Sequence, residues 1–182
     1  MNKIENISFE KNSNNKENVI SLLKNEKKSL PTHYLYDDLG SKLFEEICNT
    51  EEYYLTRTEQ QILNAHALDI LKEVSPLEIF EFGSGSSKKT KSLISKALKQ
   101  KKYLKYFSFD ISTKALKMSY NQLKQISKNL DVQLIQGDFN NDISRIKKSK
   151  SKRLYLFLGS TLGNFNNNVA VNFLDNVAKI MN

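Results

Sequence analysis

The chain contains very little cysteine and histidine. Cys48 is the single cysteine among 182 residues, and His33 and His66 are the two histidines. One cysteine cannot form an intramolecular disulfide bond, and so few thiol and imidazole groups argue against a metal centre. We therefore expect a protein of the reducing cytoplasm that holds no metal ion. We interpret Cys48 as a small buried residue on a helix face, and both histidines as structural.

Long apolar segments are also absent from the sequence. The longest strongly apolar run is Leu154–Leu158, which is far too short to cross a bilayer. The first ten residues are polar and carry mixed charges, so they lack the apolar core of a signal peptide. We therefore expect neither membrane association nor export. A hydrophobic content of 39% and a charged content of 26% are typical of one globular domain with its own core.

Arginine is scarce, although the chain is basic. The net charge is +8, but Arg57, Arg145 and Arg153 are the only arginines, so lysine supplies most of the positive charge. Arginine is the preferred side chain for bidentate contacts with phosphate. Lysine and asparagine are abundant together, which indicates the codon usage of an AT-rich genome. We therefore expect no nucleic-acid partner and interpret the basic run 147–153 as a solvated loop.

Three stretches of different composition follow one another along the chain. Residues 1–16 are rich in Asn, Lys and Ser and are expected to be a disordered tail. Residues 17–75 carry helical patterns, and a T-x-x-E capping box at Thr56 and Glu59 predicts the start of a long helix there. Residues 76–182 alternate short apolar strands with helices, which predicts an α/β domain built on a parallel sheet.

Four apolar segments in the last stretch have the length and composition of strands. Right-handed crossovers between parallel strands give a Rossmann-like doubly wound sheet, and we predict the strand order 3-2-1-4 for these four. The predicted strands are Leu77–Phe82, Tyr103–Ile111, Val132–Ile135 and Leu154–Leu158, and the helices between and after them are Thr90–Lys99, Thr113–Asn129 and Val169–Met181.

A glycine motif follows the first predicted strand. The segment E-F-G-S-G-S-S-K-K-T places Gly83 and Gly85 between this strand and the next helix. Such a loop is typical of sites that hold a nucleotide-like cofactor, because glycine lets the ligand approach the backbone closely. Lys88 stands where the dinucleotide fingerprint has its third glycine, so the pattern fits an S-adenosylmethionine loop better than a NAD loop.

Acidic residues end or follow the next two predicted strands. Ligands of doubly wound sheets bind at the carboxyl ends of the strands, where Asp110, Asp138 and Phe139 would meet. Asp110 can accept hydrogen bonds from ribose hydroxyls, Asp138 can meet the adenine amino group, and the ring of Phe139 can cover the base. Each aspartate alone could instead cap a helix or lie in a solvated loop. Their placement on successive strand ends favours a cofactor site.

The same segments occur, in the same order, in a known enzyme family. From about Leu30 to its last residue the chain resembles the S-adenosylmethionine-dependent histidine N-alpha-methyltransferases of ergothioneine biosynthesis. The resemblance implies a class I methyltransferase fold and trimethylation of the alpha-amino group of histidine. The matching segments are L-P-T-H-Y-L-Y-D-D-L-G-S-K-L-F-E-E-I, E-E-Y-Y-L-T-R-T-E, E-F-G-S-G-S-S-K-K-T, the G-D-F at Gly137, and F-L-G-S-T-L-G-N-F.

The resemblance implies cofactor contacts for five residues. Gly83 and Lys89 would contact the methionine part of S-adenosylmethionine. Asp110 would bind its ribose, and Asp138 with Phe139 would bind its adenine. Without the resemblance, Lys89 would be interpreted as an exposed lysine.

The resemblance also implies a substrate pocket for a small amino acid. Tyr36 and Tyr53 would line the pocket, with Tyr53 near the substrate amine, and Asn164 would hold the amino and carboxylate groups. Tyr53 and Asn164 are therefore the predicted catalytic residues, because their oxygens can accept the N–H bonds of the amine and aim its lone pair. Without the resemblance, each tyrosine could equally pack in a core with a satisfied hydroxyl.

The chain departs from the family in its length. Family members are considerably longer, so the chain is expected to be a C-terminally truncated fragment that lacks the later strands and part of the substrate pocket. Two alternatives stay open: a methyltransferase that acts on RNA or protein, and a non-enzymatic truncated or split subunit. The fourth predicted strand is almost continuously apolar, so we expect its outer edge to require a partner chain or a second copy.

Overall fold

Five parallel strands form the sheet of the computed structural model, which describes residues 3–8, 15–30, 32–35, 38–139 and 141–181. Their order is β1-β4-β3-β2-β5, and all neighbouring strands run parallel. The predicted order 3-2-1-4 is confirmed for the last four strands, with β1 added beyond β4. The strands are β1 (Ile4–Asn6), β2 (Glu78–Phe82), β3 (Leu104–Asp110), β4 (Leu130–Gln136) and β5 (Arg153–Phe157).

The additional strand β1 lies where the sequence predicted a disordered tail. It pairs with residues 134–136 of β4, and Ile4 packs against the core. The prediction of disorder for residues 1–16 is therefore wrong for Ile4–Asn6. Pairing with β1 satisfies backbone groups along the edge of β4, which supplies a reason for order that composition does not show. A strand of three residues is also too short to produce a clear period-two pattern.

The described part of the chain contains six α-helices: three between β1 and β2, and one after each of β2, β3 and β5. None of the described helices is long and apolar enough to cross a membrane. Short 3-10 turns occur at Thr32–Leu35, Ile143–Arg145 and Thr161–Asn164. The helices are α1 (Asn15–Lys24), α2 (Asp38–Ile47), α3 (Leu55–Val74), α4 (Thr90–Gln100), α5 (Thr113–Leu123) and α6 (Asn167–Ile180).

Successive side chains of each strand point to opposite faces of the sheet. Ile79 and Tyr106 are fully buried on the face that also packs residues of α3, α4 and α5. Phe80 and Phe109 are fully buried on the other face, where α6 contributes Phe173. The sheet is therefore covered on both faces, and the loops at the carboxyl ends of its strands are held by a packed core on either side.

Arg153 shows that the basic run 147–153 is not wholly solvated. The Arg153 side chain is 7% exposed, its Nη2 lies 2.6 Å from the Glu78 carboxylate, and its guanidinium lies 4.5 Å from the centroid of the Phe107 ring. The prediction of a solvated loop is therefore wrong for this residue. Arg153 begins β5, and its side chain lies across the sheet face, where it contacts a carboxylate of β2 and an aromatic ring of β3.

The start of α3 also differs from the prediction. The N-cap position is Tyr54, and no side chain caps the helix there, so the predicted capping box of Thr56 and Glu59 is wrong. Arg57 instead donates hydrogen bonds to the carbonyl oxygens of residues 50 and 51, both at 2.6 Å. Cys48 is half-buried rather than buried, with its sulfur 3.5 Å from the Thr56 hydroxyl.

Candidate functional site

The loop after β2 has three residues in the left-handed backbone region. Their φ angles are +61° at Gly83, +53° at Gly85 and +55° at Ser87. Glycine adopts such angles without steric cost, which explains the G-x-G spacing. A Cβ atom at Gly83 would lie 3.7 Å from the Phe139 ring, whereas one at Gly85 would meet nothing within 4 Å. The backbone at Gly85 therefore faces open space that a ligand can enter.

Asp110 fixes this glycine loop from the neighbouring strand. One carboxylate oxygen accepts a hydrogen bond from the Gly85 N–H at 2.9 Å, and the other accepts from the Ser112 N–H at 2.9 Å. Burial raises the pKa of the Asp110 carboxyl above its ordinary value, while these backbone bonds act in the opposite direction. Each oxygen keeps a further lone pair for a ligand hydroxyl. Asp110 thus anchors the glycine loop at the carboxyl end of β3, where the ribose contact is predicted.

A buried chain of polar groups lies beneath the loop. The Glu81 carboxylate accepts hydrogen bonds from the Tyr106 hydroxyl and, at 2.7 Å, from the Thr90 hydroxyl. The Ser87 hydroxyl lies 2.7 Å from the Tyr106 hydroxyl and 2.6 Å from that of Ser119. These bonds hold Ser87 in its left-handed conformation. Burial raises the pKa of Glu81 to about 7, although its hydroxyl donors lower it.

The segment after β4 places the predicted adenine residues at the same end of the sheet. The Asp138 N–H donates to the Asp142 carboxylate at 2.8 Å, and the Asp138 carboxylate accepts from the Asn141 amide at 2.6 Å. Asp138 is half-buried, and its local bonds fix the direction of the turn. The placement is compatible with the predicted contact to an adenine amino group.

Phe139 belongs to an aromatic cluster that the sequence did not predict. Its ring centroid lies 5.5 Å from that of Phe157, 5.8 Å from Phe165 and 5.9 Å from Phe173. These partners come from β5, the following loop and α6. The cluster fixes the half-buried ring of Phe139 beside Gly83, where it can cover a planar ligand.

Lys89 meets a carboxylate that the sequence assigned to helix capping. Its ammonium group pairs with one oxygen of Glu59, and the other oxygen accepts the Gly159 N–H at 2.8 Å. The Gln60 amide donates to the Lys89 carbonyl oxygen at 3.3 Å. Lys89 is therefore not the exposed lysine that its surroundings in the sequence would suggest, and Glu59 is the main site residue that sequence reasoning missed.

Two of the three predicted substrate residues, Tyr53 and Asn164, belong to the described part of the chain. Tyr53 is half-buried, with its ring 5.9 Å from that of Phe44. Burial, followed by the nearby Cys48 and Glu59 groups, raises the pKa of the Tyr53 hydroxyl. Asn164 is exposed at the end of the 3-10 turn Thr161–Asn164, which follows the Gly159 loop. Tyr36 lies outside the described residues.

Helices α2 and α3, which lie between β1 and β2 in the chain, therefore contact the loops at the strand ends through two carboxylates. Glu45 of α2 accepts a hydrogen bond from the Ser86 hydroxyl at 3.1 Å, while Glu59 of α3 binds the loops after β2 and β5. Both glutamates lie in segments that carry the family resemblance, and this is the only signal for them in the sequence. Their spacing alone predicts ordinary helix surface residues.

The parallel sheet, with a glycine loop after β2 and an acidic residue at the end of β3, defines the Rossmann-like fold of class I methyltransferases. The same fold occurs in the plantazolicin methyltransferase BpumL, whose structure was solved in complex with SAH. The two structures superpose with a TM-score of 0.52 at 20% sequence identity, over 92% of this chain and 58% of that chain.

The family of SAM-dependent, histidine-specific methyltransferases matches residues 15–182, and the chain belongs to this family. It is 34% identical to the histidine N-alpha-methyltransferase of Mycobacterium tuberculosis over 90% of this chain and 50% of the relative. It is 32% identical to the enzyme of the same name from Mycolicibacterium smegmatis over 83% of this chain and 47% of the relative. The chain thus spans about half the length of the curated relatives it matches.

Proposed function

We propose that this chain binds S-adenosylmethionine at the carboxyl ends of β2, β3 and β4 and methylates the alpha-amino group of histidine. The observation that carries the proposal is the family match over residues 15–182, which includes every strand end of the candidate site. An enzyme that acts on RNA or protein is not favoured, because the matching family is histidine-specific. The single cysteine fits a reducing compartment, and we propose a cytoplasmic location.

The residues at the strand ends fit this cofactor. Gly85 leaves open space at the loop, Asp110 offers a buried carboxylate, and Phe139 offers a fixed aromatic face beside Gly83. Lys89 supplies a cation suited to the cofactor carboxylate. These groups belong to residues 76–182, which we propose form the cofactor-binding part, while residues 17–75 contribute to the substrate pocket.

The proposed reaction needs orientation more than covalent chemistry from the protein. Bound S-adenosylmethionine supplies an electrophilic methyl group, which a neutral amine attacks in line with the bond that breaks. Tyr53 and Asn164 can accept the N–H bonds of the amine and direct its lone pair. The raised pKa keeps the Tyr53 hydroxyl protonated at neutral pH, so that it acts as a neutral hydrogen-bonding group. The ammonium form of the amine must lose one proton to water or to a weak base before each transfer, because only the neutral amine has a lone pair to attack the methyl group.

The cofactor site can be tested by calorimetry with S-adenosylhomocysteine. We expect Asp110→Ala to weaken binding by about 1.5–3 kcal/mol, since it removes a charged acceptor and releases the Gly85 N–H. Asp175→Ala, at an exposed position on α6, is the matched control and should bind like the wild type. Equal affinities of wild type and Asp110→Ala would contradict the assignment.

The chemistry is tested by incubating the protein with S-adenosylmethionine and histidine. Mass spectrometry should detect mono-, di- and trimethylhistidine when a further strand pairs with β5, and little or no product from the isolated chain. Tyr53→Phe and Asn164→Ala should lower turnover more than they lower cofactor affinity, because both residues face the amine in this proposal. Unchanged turnover in both variants would refute their roles. Methylation of RNA or protein in place of histidine would refute the proposed substrate.

A further inference from the structure

Glu59 is shared between two loops that lie far apart in the sequence. One carboxylate oxygen accepts the backbone N–H of Gly159 at 2.8 Å, and the other pairs with the Lys89 ammonium. Gly159 follows β5 and Lys89 precedes α4, so the loops belong to the neighbouring strands β5 and β2. A single side chain of α3 therefore joins the loops that follow β2 and β5.

The surroundings of Glu59 strengthen its contacts with Lys89 and with the Gly159 N–H. The side chains of Glu59 and Lys89 are 26% and 23% exposed, so water screens their attraction less than it would at an open surface. Gly159 and Ser160 have φ angles of +82° and +59°, which turn the Gly159 N–H toward α3. A Cβ atom at Gly159 would lie 3.4 Å from the Lys89 nitrogen, so the ammonium and the loop backbone are packed against each other.

Glu59 connects the loop that is predicted to contact the cofactor with the residues that are predicted to bind the substrate. Glu59 lies on the second turn of α3, six residues after Tyr53. Burial raises the pKa of the Tyr53 hydroxyl, and the charge of Glu59 raises it further. Lys89 is the predicted contact of the cofactor's methionine part, and the loop that begins at Gly159 leads to Asn164. The methyl donor and the acceptor amine must meet in a narrow range of distance and angle for transfer.

We propose that Glu59 is a positioning residue for methyl transfer: its carboxylate fixes Lys89 and the Gly159 loop relative to each other and thereby sets the cofactor beside the amine pocket. The inference rests on the proposed function, because it assigns Lys89 to the cofactor. Glu59 itself acts through Lys89 and Gly159 and is not required to touch the reacting atoms.

Two measurements on the 182-residue chain test the proposal. The first is amide hydrogen exchange at Gly159 by NMR in the absence of cofactor. Glu59→Gln should speed this exchange about tenfold, because the N–H loses its charged acceptor. Glu73→Gln makes the same chemical change at an exposed position on the same helix and should leave the exchange unchanged.

The second measurement is a double-mutant cycle on the affinity for S-adenosylhomocysteine. Glu59→Gln alone should weaken binding about tenfold, and it should add little in a Lys89→Met background, because the effect passes through Lys89. Thermal unfolding of each variant separates this coupling from a loss of the fold. An effect of Glu59 that does not pass through Lys89 would give additive changes in affinity.

The outcomes distinguish a failure of the proposed role of Glu59 from a failure of the proposed function. Unchanged Gly159 exchange, or additive effects of Glu59→Gln and Lys89→Met, would overturn the role of Glu59 while wild-type binding still supports the proposed function. A wild-type chain that does not bind S-adenosylhomocysteine would overturn the proposed function and, with it, the placement of the cofactor by Glu59.

Discussion

Three acidic side chains organise the candidate site at the residue scale. Asp110 bonds to the glycine loop, Glu59 bonds to two loops, and Glu81 bonds to the hydroxyl groups beneath them. Each carboxylate accepts a hydrogen bond from at least one residue of another element. Such a bond fixes the two elements relative to each other more firmly than a surface ion pair does. The position of Asp110 at a strand end could be predicted from the sequence. The contacts of Glu59 could not, because its spacing from Thr56 also fits an ordinary capping box.

The raised pKa of Glu81 predicts a pH-dependent contribution to stability. Its pKa is about 7 in the folded protein and 4.5 ordinarily, so the folded state binds more protons than the unfolded state between these values. The stability that Glu81 contributes is therefore complete below the lower value and is lost as the pH rises through the upper one. The loss should reach about 3 kcal/mol, since each pKa unit corresponds to about 1.4 kcal/mol.

Urea unfolding of wild type and Glu81→Gln at a series of pH values measures this contribution. Other carboxylates titrate in both proteins, so the difference between their free energies of unfolding isolates Glu81. This difference should favour the wild type most at acidic pH and should decline toward neutral pH. Glu73→Gln, which lies at an exposed position, should follow the wild type throughout. A difference that does not change with pH would show that Glu81 has an ordinary pKa.

At the scale of elements, the alternation of strands and helices predicted the sheet. The conformation of the turn after β4, in contrast, depends on contacts between elements. Gly137 illustrates this, because a Cβ atom there would lie 3.0 Å from the Phe109 ring and 3.1 Å from Ile7. These distances are tighter than most real Cβ contacts, so a neighbouring side chain would have to move by a few tenths of an ångström. The turn that carries Asp138 therefore depends on close contact with both β3 and the segment after β1.

Gly137→Ala should lower the free energy of unfolding by about 1–3 kcal/mol, because the added methyl group forces Phe109 or Ile7 to move. It should also weaken S-adenosylhomocysteine binding, since Asp138 follows directly. Gly163→Ala is the matched control, because a Cβ atom there meets nothing within 4 Å. Denaturant unfolding and calorimetry provide the two measurements. Equal stability of the two variants would mean that the turn after β4 has more room than the structure shows.

At the scale of the whole molecule, β5 forms one border of the sheet. Within the described residues it pairs with β2 alone, so its other edge leaves backbone groups without strand partners. Leu156 is buried, while its neighbours Leu154, Tyr155 and Phe157 are half-buried. An apolar strand with one open edge can pair with a further strand from another chain or segment. We propose that such pairing accompanies the active form.

Expression of residues 1–182 tests this proposal. Light scattering over a range of concentrations should reveal self-association, or binding of a partner that supplies further strands. The outward amides of residues 154–158 should exchange rapidly in a dilute sample and slowly in the associated state, because pairing satisfies their N–H groups. A stable and fully active monomer whose β5 amides are all protected would show that the sheet closes without another strand.

The sequence by itself determined the α/β class, the order of the four main strands, the glycine loop and the acidic strand ends. These features follow from hydrophobic periodicity and turn residues, which act over short distances along the chain. The roles predicted for Lys89, Asp138 and Asn164 stay predictions, but their positions at one end of the sheet agree with the parallel topology.

Only the tertiary structure decided that β1 joins the sheet, that Arg153 is buried against Glu78, and that Glu59 links Lys89 to Gly159. Glu59 and Gly159 are 100 residues apart, and they meet because β2 and β5 are neighbours in the sheet while α3 packs beside α4. Local periodicity carries no information about such a contact. It exists only after the strands have paired and the helices have packed, because a carboxylate selects among the donors that the fold brings within its reach.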